Sequence, residues 1–351
     1  MKIVHVVYAL ELGGIETMLV NIVNEQVLKG HAISILCIND LINEGLKDSI
    51  DKRVRFYPLK RPVGSKNPYY ILKLNKLLYS LKADMVHLHS TAICRFVYLP
   101  FCKNVCVTIH DVLDTIEEKY LPKYKNIFAI STSVKNNIFE RTGFNVTTVL
   151  NGINTAKISV KDRFIQKIPY RIVQVSRLMH EKKGHHILLE AIKLVKERGY
   201  NVEVDFIGDG PSEEYLSGLI KEYKLSTEVK LLGAKSQQYI FDNLCEYDLF
   251  VQPSIYEGFG LTVAEAMAAK VPVLVSENQG PLEIIDNGKY GYLFKNGDAK
   301  DCAEKIIQII EQGFNKEMIE SACARVEEKY SVKQTALNYI KEYQNIIISN
   351  N

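Results

Sequence analysis

Short β-branched runs alternate with helical stretches along almost the whole chain, and the alternation restarts once near its middle. Residues 3–8 read as a strand, 15–29 carry apolar positions at helical spacing up to Gly30, and 33–38 read as a strand again. Further strand signals lie at 54–59, 85–88, 105–109, 128–131 and 147–150, with helices expected over 69–81 and 134–142. Alternation of this kind implies crossover connections, hence a parallel sheet with helices on both faces.

The pattern loosens at 151–154, and 157–170 is polar with one proline, which marks an interdomain linker. The logic then starts again. Strands are expected at 171–176, 202–207, 229–232, 249–252 and 271–275, with helices at 185–198, 213–223, 239–247, 261–270, 281–286 and 299–312. A length of 351 residues exceeds one ordinary core, so two α/β domains follow, 1–160 and 161–331. A last helical pattern, 332–348, has no strand after it.

Composition removes several classes of function. Hydrophobic content of 47% and charged content of 24% suit a soluble globular protein, and a net charge of +3 does not argue for nucleic acid. The seven cysteines are scattered without zinc-ligand spacing, which suits a reducing cytoplasm. The apolar run at 3–7 is short and followed by Glu11, so it reads as a first strand and not as a signal peptide. No stretch approaches the roughly 20 apolar residues of a spanning helix.

The stretch from Tyr256 to Ala268 carries the most chemistry. It joins a strand to Ala-rich helical sequence through a turn containing Gly258 and Gly260. A helix start delivered by such a turn presents unpaired N–H groups and partial positive charge, which suits a phosphate. Glu257 and Glu265 bracket the turn, and a carboxylate accepts hydrogen bonds from vicinal sugar hydroxyls. Glu265 also suits simple dipole compensation, and Phe259 suits core packing. Phosphate and hydroxyl binding together describe a pocket for a nucleotide sugar.

This E-x7-E segment resembles the donor site of retaining GT-B glycosyltransferases of family 4, the group 1 type of capsule, exopolysaccharide and O-antigen synthesis. Other segments match in the same order along nearly the whole chain. The resemblance implies two Rossmann-like domains facing a cleft, with acceptor on the N-terminal side and donor against the C-terminal domain. It also implies that 332–351 crosses back to the first domain. Glu257 would hold the donor sugar's 3- and 4-hydroxyls and Glu265 the ribose. Phe259, Gly260 and Leu261 would offer backbone N–H groups to the diphosphate.

Arg177 and Lys183 share one loop after a strand, and two cations there can stabilise a departing diphosphate without a metal. A solvated basic loop is the ordinary reading of such charges. The family pattern, Lys directly before Gly, selects Lys183 over Lys182. Gly13 and Gly14 form a second glycine-rich turn, suited to donor approach or to an ordinary strand–helix connection. His110 follows a strand's C-terminal end, where open α/β sheets place ligands, and the family puts a histidine there against the transferred sugar. His87 and His89 are expected on opposite faces, or with one leading into a loop. No metal site is expected from the histidines, no D-x-D sequence is present, and no cofactor is expected beyond the nucleotide-sugar co-substrate.

The expected activity is a retaining, metal-independent hexosyl transfer from a UDP-sugar to a saccharide or polyprenyl-linked acceptor, in the cytoplasm. Lysines and tyrosines over 60–82 suggest contact with an anionic membrane surface, or a helix packed on its sheet. A nucleotide-sugar 2-epimerase of the same fold and a non-catalytic sugar-nucleotide-binding subunit are the alternatives.

Overall fold

The computed structural model describes residues 1–11, 13–111, 119–277 and 279–350. Two compact units emerge: Met1–Ile153 together with Ser331–Asn351, and Asn154–Tyr330.

In the first unit seven parallel strands form one sheet in the order β3-β2-β1-β4-β5-β6-β7. They are β1 (Lys2–Val7), β2 (Ala32–Asn39), β3 (Arg55–Arg61), β4 (Met85–Leu88), β5 (Val105–Ile109), β6 (Asn126–Ala129) and β7 (Thr147–Thr148). The chain winds outward from β1 to β3, then crosses to the other side of β1. The β1/β4 boundary is therefore a topological switch point. The helix Gly14–Leu28 buries Met18, Leu19, Ile22 and Val23 against this sheet. The last helix, Val332–Ser349, starts at Ser331, whose hydroxyl accepts from Gln334 N–H. Its buried Val332, Ala336, Tyr339, Tyr343 and Ile346 recur at helical spacing and join the same core.

The second unit repeats the winding with six parallel strands in the order β10-β9-β8-β11-β12-β13. These are β8 (Tyr170–Val175), β9 (Val202–Ile207), β10 (Val229–Leu231), β11 (Leu249–Gln252), β12 (Val273–Ser276) and β13 (Tyr292–Phe294). Its switch point is the β8/β11 boundary. The helices His185–Glu197 and Ala299–Gln312 cover one face with Leu188, Ile192, Cys302 and Ile306. Asp298 caps the second of them by accepting from Lys300 and Asp301 N–H. A helix at Lys316–Lys329, which the sequence pattern did not suggest, buries Ile319, Ala322 and Val326.

Candidate functional site

At the β8/β11 switch point the two strands lead into loops that carry opposite charges to one place. After β8, Lys183 ends the short helix His180–Lys183. After β11, Glu257 follows Ser254. The Lys183 ammonium lies 2.5 Å from Glu257 Oε2, with both side chains mostly buried. Gly184 is what lets the loops meet. It sits at φ +67°, and a Cβ there would lie 1.8 Å from the carbonyl oxygen of Pro253. Ile255 and Tyr256 N–H both donate to the Lys182 carbonyl, tying the loops along their backbones.

Two further donors reach the same carboxylate oxygen. Gln252 Nε2 lies 3.1 Å from Glu257 Oε2 and Ser254 Oγ 3.4 Å from it. Oε2 thus gathers three donors, while Oε1 has none among the described residues. Gly280 backs the turn: its N–H donates to the Glu257 carbonyl, and a Cβ on it would strike Phe259 N at 2.6 Å.

The helix Leu261–Ala268 begins next, from Gly260 at φ +104° and with no side chain capping it. Val263 and Ala264 N–H both donate to the Gly260 carbonyl. The N–H groups of Leu261 and Thr262 have no partner among the described residues. A free helix start of this kind attracts an anion. One turn on, Glu265 is only 7% exposed, and burial pushes its carboxyl up to about 8. Phe259 turns its ring inward, edge-on to Tyr330 at 5.8 Å. Arg177, after β8, is exposed.

The first unit has its own polar cluster at the β1/β4 switch point. His5 Nδ1 lies 2.9 Å from His89 Nε2, and His5 Nε2 lies 2.8 Å from Gln26 Oε1. The amide oxygen of Gln26 only accepts, so His5 Nε2 carries the proton and Nδ1 accepts from His89. His87 binds Tyr343 and Thr108 through its two nitrogens, each at 2.6 Å. The His87 and His89 rings lie 4.1 Å apart, so they do not point to opposite faces; His89 follows the end of β4 and leads into the loop, the other arrangement expected. His110 stacks on His89 at 5.7 Å, and both its nitrogens are buried with no partner among the described residues. Burial lowers His5 and His110 to about 4 and holds His87 and His89 well below 6.5.

Nitrogens of His5, His87 and His89 lie within 4.8 Å of one another, close enough for three imidazoles to share an ion. Both nitrogens of His5 and of His87 are already hydrogen-bonded, so a neutral network accounts for the cluster. Gly13 precedes and Gly14 opens the helix Gly14–Leu28. Asn278, just ahead of Gly280, lies outside the described residues.

Sequence reasoning thus named Lys183 and Glu257, which meet, and Glu265, which lies one turn beyond the helix start they adjoin. It overlooked Gln252, Ser254, Gln26 and His5. Polar residues inside otherwise apolar strands were the available signal, and Gln252 at the end of Leu249–Gln252 is one.

Comparison with known proteins gives the family and the fold. The family model for glycosyl transferases group 1 matches residues 157–325, and that for glycosyltransferase family 4 matches 12–157. AmsK, an amylovoran biosynthesis glycosyltransferase of Erwinia amylovora, is 36% identical over 171 residues, covering 47% of this chain and 41% of its own. CapM, a capsular polysaccharide biosynthesis glycosyltransferase of Staphylococcus aureus, is 30% identical over 224 residues, covering 59% and 58%. The matched stretch spans about half the length of these curated relatives. Among solved structures, HepE of Anabaena with UDP and glucose superposes with a TM-score of 0.80 at 18% identity, over 98% of this chain and 100% of its own. A glycosyltransferase of Rickettsia africae gives 0.81 at 22% identity, over 100% and 99%. At these identities the likeness concerns the fold, which is GT-B.

Proposed function

Because the chain belongs to the family 4 group of GT-B glycosyltransferases, we propose that it moves a sugar from a UDP-linked donor to a saccharide or polyprenyl-linked saccharide in surface-polysaccharide synthesis. The observation that carries this reading is the Lys183–Glu257 pair beside the uncapped start of Leu261–Ala268, with Glu265 one turn beyond. The product class follows the amylovoran and capsule relatives, and the base follows the UDP bound to HepE.

In this proposal the diphosphate rests on the free N–H groups of Leu261 and Thr262, with Phe259 and Gly260 beside them, and Arg177 and Lys183 offset its growing charge. Those three sources of positive charge make a divalent ion unnecessary. Glu257 accepts from the sugar's hydroxyls and Glu265 from the ribose. Within the first unit, His110 and the Gly13–Gly14 helix start are the proposed sugar-nucleotide-binding groups. The acceptor hydroxyl attacks on the face the phosphate leaves, passing its proton to the departing phosphate oxygen, so the anomeric configuration is retained.

Among the described residues no helix is long and apolar enough to cross a membrane. The helix Tyr69–Leu81 buries Leu74 and Leu78 but leaves Tyr69, Leu72 and Tyr79 more than half exposed beside Lys66 and Lys76. We assign that face to the cytoplasmic surface of an anionic membrane, where a lipid-linked acceptor resides. UDP released only when donor and acceptor are both present supports transfer. A change in the sugar of donor incubated alone, followed by NMR, supports the 2-epimerase instead.

A further inference from the structure

Three donors converge on one oxygen of Glu257 and leave the other open. Lys183 alone would neutralise the carboxylate, but an ammonium on a flexible stem fixes no orientation. Gln252 does. Its side chain is 1% exposed, and its amide nitrogen lies 2.8 Å from Ser254 Oγ and 3.1 Å from Glu257 Oε2. The carboxylate only accepts, so the amide must present its nitrogen to it. The other end of that amide, Gln252 Oε1, is buried with no partner among the described residues. An unpaired buried carbonyl is costly, and an apolar side chain would avoid the cost. The fold keeps the amide nonetheless.

The remaining members of the cluster are anchored as well. Ser254 is fully buried, and its carbonyl accepts from Ser276 Oγ on β12 at 2.5 Å. Gln174, buried in β8, donates from Nε2 to the Lys183 carbonyl at 3.0 Å, and its own Oε1 is likewise unpaired among the described residues. Each strand of the switch point thus sends one buried glutamine amide to one member of the ion pair.

We propose that Gln252 is a positioning residue that locks Glu257 through Oε2, so that Oε1 faces the donor sugar's hydroxyls. This rests on the assignment of Glu257 to the sugar and not to the nucleotide. Gln252 therefore governs how strongly the protein prefers a sugar nucleotide over the bare nucleoside diphosphate.

The test compares wild type, Glu257→Gln, Gln252→Met and the double variant of the full chain. From a panel of UDP-, GDP- and ADP-sugars, the tightest-binding donor and its own nucleoside diphosphate are titrated by calorimetry. Glu257→Gln should weaken the sugar nucleotide about tenfold or more relative to the diphosphate, whose own binding should not weaken because Lys183 is left free for it. Gln252→Met should do the same, and should add nothing in the Glu257→Gln background. Gln252→Leu, apolar and without any donor, serves as the second variant and should show the same selective loss.

Equal weakening of both ligands by the Gln252 variants would mean a merely structural role and would overturn the proposal. So would wild-type selectivity in those variants while Glu257→Gln loses it, and in that case the role of Glu257 survives. If Glu257→Gln itself shows no selective loss, the assignment of Glu257 fails and the inference goes with it.

Discussion

The Lys183 ammonium rests against the Glu257 carboxylate although the two residues lie 74 positions apart in the chain. The pairing joins the loops after β8 and β11, so a cation proposed for the diphosphate and an acid proposed for the sugar are held by one contact. Removing the cation therefore has two effects: the leaving group loses charge stabilisation, and Glu257 loses its counter-ion. Lys183→Gln should lower turnover about 10²-fold or more, read as release of nucleoside diphosphate. Lys182→Gln should leave turnover nearer that of the wild type, since the substitution keeps the Lys182 carbonyl that ties the loops and the Lys182 ammonium lies over the Tyr256 ring, not against Glu257.

Glu265 makes stability depend on pH. Burial raises its carboxyl from 4.5 to about 8, so the folded chain holds this proton more tightly than the unfolded chain. The folded state is unpenalised below 4.5 and loses stability as pH climbs towards 8, at no more than about 1.4 kcal/mol per pH unit from this group. Glu265→Gln removes that dependence. Its melting temperature should exceed the wild type's at about pH 8 and converge with it towards about pH 5. A constant offset across that range would contradict burial of the carboxyl as the cause.

The histidine cluster acts in the opposite direction. His5 and His110 are lowered to about 4, and His87 and His89 are held well below 6.5, so unfolded histidines take up protons that folded ones refuse. Stability should fall as pH drops from 6.5 towards 4. In ¹H–¹⁵N spectra at about pH 5.5 the ring nitrogens of His5 should still report a neutral imidazole. Protonated rings in a folded protein at that pH would contradict the burial of the network.

The exposed face of Tyr69–Leu81 yields a surface prediction. Replacing Lys66, Lys76 and Lys82 together by Gln should reduce co-sedimentation with phosphatidylglycerol vesicles and leave the melting temperature unaltered. Equal sedimentation of both forms would assign the lysines to solvent alone.

Much of this molecule is written locally. Strand and helix periodicity marks both sheets, and the Gly258–Gly260 turn announces the start of Leu261–Ala268. What local patterns cannot carry is convergence. Lys183 meets Glu257 only because β8 and β11 become neighbours at a switch point, and no spacing along the chain encodes that adjacency. The histidines are similar: His5 and His89 lie 84 residues apart and bond across β1 and β4. Short elements escaped for a different reason. The three residues of Tyr292–Phe294 are too few to establish a period.

The central claim is that the uncapped helix start, its two carboxylates and its neighbouring cations form a nucleotide-sugar donor site. Release of nucleoside diphosphate from a panel of UDP- and GDP-sugars in the presence of a polyprenyl-linked saccharide acceptor, measured for wild type, Glu265→Ala and Arg177→Ala, tests it most directly. Each substitution should suppress the release that the wild type shows, whereas undiminished turnover in both variants would contradict the claim.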